Sequence, residues 1–396
     1  MQTTGLAEET IGPLYEGERL AQALRDARDR TLHVYAHLDL EALTVPRLPI
    51  VNPPLWELSH IAWFQERWCL RHSPQERAVA RGSLLQGADA MFDSTAVAHA
   101  TRWSLPYPPA SVLRGYMEDT FDATLGRLHR TPPEERYFFA LALLHEDMHA
   151  EALRMTLQTL GLPGPQGDCL AAAASAGDAR DIAFPAGELE QGTARDCASF
   201  VFDNEKWAHT RSVPAFQMAD RAASQGEFAQ FVDDGGYRRK DLWSVQGRAW
   251  LEESGRSAPL DWRPDGGSWS TRRFDAWRPL AARNPMERVS QYEAEAFCRW
   301  ARRRLPSETE WEYAARSGRL PGTGQVWEWT STPFLPYPGF SADPYKEYSQ
   351  PWFESHFVLR GGCYATQARL VHDRFRNFYL PERADPFAGL RTCALE

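Results

Sequence analysis

The 396-residue sequence has no CxxC pair, no basic stripe and no long apolar run at its start, and each absence removes a class of explanation. Its six cysteines, Cys69, Cys169, Cys197, Cys298, Cys363 and Cys393, are scattered. That spacing fits reduced thiols in a cytosol better than a disulfide framework or a zinc ribbon. Lysine and arginine number 44 against 53 aspartates and glutamates, a formal charge of -9. Such a balance argues against a nucleic-acid surface and against anionic membranes, and leaves small molecules as the expected partners. Residues 1–20 contain Glu8, Glu9, Glu16 and Glu18 and no continuous apolar run, so neither a signal peptide nor a membrane span is expected, and the cytoplasm is the expected compartment.

What is present is ample apolar content, 43%, in a chain longer than one core usually serves, so two domains are expected. The first, residues 1–162, reads as helices over 20–40, from Asn52-Pro53-Pro54 through Trp68, over 109–128 and over 137–159. Asn52 is a natural cap and proline suits a first turn. The last segment contains neither glycine nor proline. Four such helices suggest an up-and-down bundle, which builds metal sites from side chains on neighbouring helices. Residues 163–182, including the run Ala171 to Ala174, read as a linker. In residues 183–396 glycine and tryptophan become dense, helical periodicity is confined to 290–303 and 307–316, and short strands and long loops are expected elsewhere. Trp243, Trp250, Trp262, Trp269, Trp277, Trp300, Trp311, Trp327 and Trp329 read mostly as core.

The most informative stretch is Leu144-His145-Glu146-Asp147-Met148-His149. Histidines at i and i+4 on a helix stand roughly 5–6 Å apart at Cβ, close enough for two ring nitrogens to meet one divalent ion at about 2.0–2.1 Å. Spacing alone is weak, because His33 and His37 repeat it with no third partner, and partly buried histidines satisfied by carboxylates are the bland alternative. His60, among large apolar residues on the second helix, would by itself read as a core histidine. With His145 and His149 it completes a set of three that leaves coordination positions open. Neutral imidazoles suit iron, copper, nickel and zinc alike, so ligand type leaves the metal undecided.

Motifs along nearly the whole chain carry a resemblance. Leu58-Ser59-His60-Ile61-Ala62-Trp63-Phe64 and His145-Glu146-Asp147-Met148-His149-Ala150-Glu151 resemble the ligand motifs of a DinB-type bundle. Phe184-Pro185-Ala186-Gly187, Phe202-Asp203-Asn204-Glu205-Lys206, Arg304-Leu305-Pro306-Ser307-Glu308-Thr309-Glu310-Trp311-Glu312, Val326-Trp327-Glu328-Trp329-Thr330, Leu359-Arg360-Gly361-Gly362 and Gly389-Leu390-Arg391 follow the order of the formylglycine-generating enzyme fold. Together they resemble the EgtB-type non-haem iron sulfoxide synthases of ergothioneine biosynthesis. The resemblance implies an α+β protein, a DinB-like four-helix bundle followed by a loop-rich, C-type-lectin-like formylglycine-generating-enzyme domain. It implies Fe(2+) held by His60, His145 and His149, with dioxygen as co-substrate, joining a chalcogen atom to an imidazole carbon of hercynine. Formylglycine generation itself needs paired cysteines near the RGG motif, where this chain has only Cys363.

By the same resemblance Asn377 and Phe378 face hercynine, whose quaternary ammonium suits aromatic faces. Arg376 and Arg383 join the substrate-binding residues, the alternative for both being a surface ion pair, and Tyr345 and Tyr348 are the candidate proton donors. Two positions depart from the family. Met148 stands where many members carry a hydrogen-bonding Gln, and Tyr379 where binders of γ-glutamylcysteine carry an Asp. Without that carboxylate an α-ammonium loses its obvious partner, and the segment from Arg376 to Cys393 most resembles the selenoneine synthase branch, whose donor is a selenosugar. A sulfoxide synthase using cysteine or γ-glutamylcysteine is the second expectation. A DinB-like metal-binding protein without turnover is the third.

Overall fold

The computed structural model describes residues 16–167, 178–197 and 199–395, so Cys169 and the alanine run of the expected linker lie outside the described residues. The chain divides into two compact units, one of residues 16–167 with 199–200, the other of residues 178–197 and 201–395. Among the described residues no helix is long and apolar enough to cross a membrane.

The first unit is built on four long helices. Helix α1, Gly17–Tyr35, turns Leu20, Leu24, Ala27, Thr31 and Val34 inward, the three-to-four-residue spacing of one helical stripe. Helix α2, Pro54–Glu66, buries every residue but Leu55, as a helix apolar nearly all round must, and runs on into a π-helical turn at Arg67–Arg71. A short helix α3, Ala88–Phe92, precedes α4, Ala110–Leu128, and α5, Tyr137–Leu160. Gly161 ends α5 with φ at 66°, a left-handed turn that glycine adopts without steric cost. Helix α1 packs on α5, and α2 packs on both α4 and α5.

One buried arginine ties all four long helices. Arg28 on α1 donates to Glu146 Oε1 on α5 at 2.8 Å, to Gln65 Oε1 on α2 at 3.0 Å and to the Met117 carbonyl on α4 at 3.1 Å. Two details differ from expectation. Helix α1 stops at Tyr35 rather than near residue 40, and Asn52 does not cap α2. The Asn52 Oδ1 accepts from Arg102 at 2.7 Å while its Nδ2 donates to Glu57 Oε2 at 3.4 Å, so Pro53 precedes the helix without a side-chain cap.

The second unit has short elements. The strands Asp181–Phe184, Phe216–Ala219, Cys393–Ala394 and Arg303–Arg304 form one antiparallel sheet. In another, the strand Trp327–Pro333 runs antiparallel to Phe357–Arg360 and parallel to Ala388–Leu390, while Asn377–Tyr379 closes the edge beside Phe357–Arg360. Trp262–Asp265, Ser268–Arg273 and Ala276–Pro279 make a three-stranded meander. The expected helices appear at Gln291–Trp300 and Glu308–Arg316, each opened by a capping box, Ser290 with Glu293 and Ser307 with Glu310. Of the nine tryptophans read mostly as core, only Trp243, Trp311, Trp327 and Trp329 are buried. Trp277 is exposed, and the other four are half-buried at the edges of the meander and helices.

Candidate metal centre

His60 projects from α2, and His145 and His149 from successive turns of α5. One ring nitrogen from each lies within 4.8 Å of the other two. The ring centroids stand 4.5 to 5.3 Å apart and the planes meet at 57° to 66°, so the rings converge edge-on instead of stacking. Three imidazoles on one ion would hold their nitrogens about 3 Å apart, a separation that modest side-chain rotation supplies.

The outer nitrogens are committed. His60 Nδ1 lies 2.8 Å from the Phe92 carbonyl, and His149 Nδ1 lies 2.9 Å from Glu57 Oε1. Each therefore donates from Nδ1 and leaves Nε2 as a bare lone pair facing the centre, the tautomer that metal-binding histidines adopt. Burial, with the neighbouring His149 adding to it, lowers the His60 pKa to about 3, and burial likewise pushes His145 well below the ordinary range. Both are neutral donors at any ordinary pH. The Trp56 ring stacks on His60 at 5.0 Å and Phe64 on His145 at 3.5 Å, which fixes the ring planes. Three converging imidazoles, two of them held by a second partner at Nδ1, fit a divalent transition metal.

The Phe92 carbonyl is itself held. Along one face of α2, Trp56 Nε1 donates to the Met91 carbonyl at 2.7 Å, His60 to Phe92, and Trp63 Nε1 to Asp89 Oδ1 at 2.6 Å. Arg71 closes on the same Asp89 carboxylate at 2.8 and 2.7 Å and holds it below the usual carboxylate range. His33 and His37 do other work. Their Nε2 atoms lie 3.2 Å from the Gln166 carbonyl and 2.9 Å from the Pro163 carbonyl, pinning the chain that leaves α5.

Met148 is half-buried on α5 between the two histidines. The remaining expected residues belong to the second unit, which brings most of them together. Phe378 stacks on Phe334 at 4.0 Å and meets Tyr348 edge-on at 5.8 Å. Tyr345 lies 6.2 Å from Tyr348, ring to ring. Burial, with Glu205 and Asp203 nearby, raises the Tyr348 phenol well above its ordinary value. The Arg383 guanidinium lies 5.3 Å over the Tyr379 ring and is paired with Asp385 through two 2.5 Å bonds. Asn377 turns its Oδ1 back to the Phe378 amide at 2.9 Å.

Arg376 departs from the surface-pair reading. At 1% exposure it is no surface pair, and its nitrogens donate to both Glu308 oxygens, at 2.9 and 3.1 Å, and to the Asn204 and Leu335 carbonyls. Four acceptors inside the unit occupy the guanidinium. Sequence reasoning missed Glu57, although a carboxylate three residues before His60 in an apolar helix was a legible signal. It also missed His356, which meets Phe378 edge-on at 5.8 Å and is kept neutral by burial, its pKa lowered to about 4.

A helical bundle whose facing helices deliver three converging histidines, two of them fixed at Nδ1, encoded beside a loop-rich α+β unit, defines a two-domain protein with a candidate metal centre in its bundle. The DinB superfamily pattern matches residues 23–158, and that of the sulfatase-modifying factor enzyme 1-like domain matches 171–323 and 321–395, in agreement with the expected fold class. The hercynine oxygenase of Mycolicibacterium smegmatis is 31% identical over 432 residues, covering 94% of this chain and 98% of its own length. That of Mycobacterium tuberculosis is 32% identical over 427 residues, with 94% and 98% covered. The formylglycine-generating enzyme of Bos taurus is 31% identical over 155 residues, 35% of this chain and 39% of that one. The chain belongs to the hercynine oxygenase family.

Proposed function

We propose that the protein is an oxygen-dependent iron(II) enzyme that joins a chalcogen atom to an imidazole carbon of hercynine, with a selenosugar as donor. The observation that carries the reading is the set His60, His145 and His149, two of them with Nδ1 bonded so that Nε2 faces the centre, in a chain of the hercynine oxygenase family. Iron(II) supplies the redox chemistry that dioxygen requires and that amino-acid side chains lack. Around it, the protein would place three imidazole nitrogens and the aromatic walls of Trp56 and Phe64.

The same reading gives Asn377 and Phe378 to hercynine. Phe378, caged by Phe334, Tyr348 and His356, offers an aromatic face of the kind a quaternary ammonium prefers. Tyr348 keeps its proton at neutral pH, as a donor must, with Tyr345 as the alternative. The selenosugar is favoured by position 379. A tyrosine under the Arg383 guanidinium suits stacking on a sugar and contacts to its hydroxyls, and offers no carboxylate to an α-ammonium. Met148 sits beside the histidines as an apolar contact. Arg376 acts by positioning, since it ties the residue before Asn377 to Glu308. The proposal includes domains at 1–162 and 183–396 joined by a linker, small molecules as sole partners without nucleic acid or membrane, and a cytoplasmic setting.

The test loads the protein anaerobically with iron(II), then adds oxygen and hercynine with 1-seleno-glucose, 1-thio-glucose, cysteine or γ-glutamylcysteine in parallel, with products read by mass spectrometry. Preference for the selenosugar is the expected result. Turnover of cysteine or γ-glutamylcysteine with none of the selenosugar would make the protein a sulfoxide synthase of the ergothioneine type. Absence of oxygen consumption with every donor would leave a metal-binding bundle without turnover.

A further inference from the structure

Beside the π-helical turn that follows α2, the bundle holds a cavity of about 520 Å³ that the metal centre does not use. Four arginines line it, Arg71, Arg81, Arg127 and Arg130, against a single carboxylate, Glu66. In a chain of net charge -9 that local excess of positive charge is out of keeping with the whole. The charge of Glu66 falls on Arg71 rather than on the other three. Its oxygens accept from Ser83 Oγ at 2.7 Å, the Leu84 amide at 2.5 Å and Tyr116 Oη at 2.7 Å, with Arg71 farther away at 3.7 Å.

Arg71 is spent on Asp89. The other three have no carboxylate at ion-pair distance among the described residues. Arg127 gives one nitrogen to the Leu70 carbonyl at 2.9 Å, and Arg81 and Arg130 are exposed. The cavity is kept open by small residues. Gly82 and Gly126 both line it, and a Cβ at either position would meet no atom within 4 Å.

We propose that this cavity binds the phosphate group of a small organic phosphate ester through Arg81, Arg127 and Arg130. Guanidinium forks match phosphate oxygens in pairs, and three uncompensated cations call for a dianion, where one would suffice for a carboxylate. A concave site of this size takes a molecule of sugar-phosphate dimensions, and the bare glycine backbones allow close approach. The occupant sits next to Arg71, whose ion pair with Asp89 holds the short helix that ends at Phe92, the carbonyl partner of His60.

Calorimetric titration of the iron(II)-loaded full chain under argon with glucose 6-phosphate tests the site, with glucose as control. Saturable binding of the phosphate ester, competed by inorganic phosphate and absent for glucose, is expected. The variant R81Q/R130Q, altered only at exposed positions, is expected to weaken it at least ten-fold, and Gly126→Leu, which fills the cavity from α4, to do the same with iron content unchanged. No saturable binding, equal binding of glucose, or binding that persists within two-fold in R81Q/R130Q would overturn the proposal.

Discussion

The two units bury charge for different ends. In the helical unit the backbone satisfies itself, so buried polar side chains are free to orient other side chains. Glu57 fixes a histidine, Asp89 receives Trp63 and Arg71, and Arg28 locks Glu146 and Gln65. In the second unit short strands and long loops leave carbonyls without ladder partners, and buried arginines meet that demand. Arg391 pairs with Glu328 and also donates to the Ala219 and Pro321 carbonyls. Arg360 pairs with Glu312 and donates to the Asp373 and Arg374 carbonyls, and Arg288 pairs with Asp261 and donates to the Asp385 carbonyl. Arg376 follows the same pattern. The lesson is that buried charge in the first unit mostly joins side chains on different helices, whereas in the second the buried arginines Arg288, Arg360, Arg376 and Arg391 fasten loops.

That contrast can be broken by substitution. His60→Ala, His145→Ala and His149→Ala each remove one of three donors, and iron retention with product formation should fall at least about a thousand-fold. Helical content, read by circular dichroism, should stay near that of the parent. Loss of the fold in all three variants would mean that the histidines carry structure as well.

Arg391→Met should do the reverse. Leaving Glu328 buried without its cation costs about 3–5 kcal/mol, measurable by urea unfolding, and a loss under about 1 kcal/mol would refute the fastening role. A finer difference is set by Glu205, whose carboxyl burial raises to about 7. The native state then keeps a proton that the unfolded chain releases near pH 4.5, so stability falls as pH rises from about 4.5 to 7, by up to ~3 kcal/mol. Glu205→Gln should remove that decline, matching the parent at pH 4 and exceeding it at pH 8. Equal slopes would show that the proton is not retained.

The smallest effect is expected at Glu57→Gln, which weakens the acceptor for His149 Nδ1 without emptying the space. Metal affinity should drop about 10–100-fold, read by competition with a chelator, with the unfolding midpoint little changed.

How much of this was legible follows from the same physics. The long helices and the three histidines were readable because helical periodicity and i, i+4 spacing are local properties of sequence. The cap at Asn52 was misread because its side chain serves Arg102 and Glu57, both brought near only by folding or by a helical turn. The buried partners of Arg376 were not legible for the reason that unites the second unit, since which loop carbonyls lack partners is decided by tertiary structure. The tryptophans of the meander were assigned inward because composition marks an aromatic domain without saying which of its edges face water. Nothing in the sequence marks the Phe92 carbonyl at all, because every residue has one.

That last partner has a consequence for how the centre can change over evolution. A main-chain oxygen cannot be removed by replacing a side chain, so His60 keeps its tautomer through any substitution at Phe92 that leaves the backbone in place. His149 depends on a carboxylate that a single codon change can alter. Two of the three ligands thus differ, His60 anchored to the backbone and His149 adjustable by mutation, and selection for a different affinity has Glu57 as an entry point.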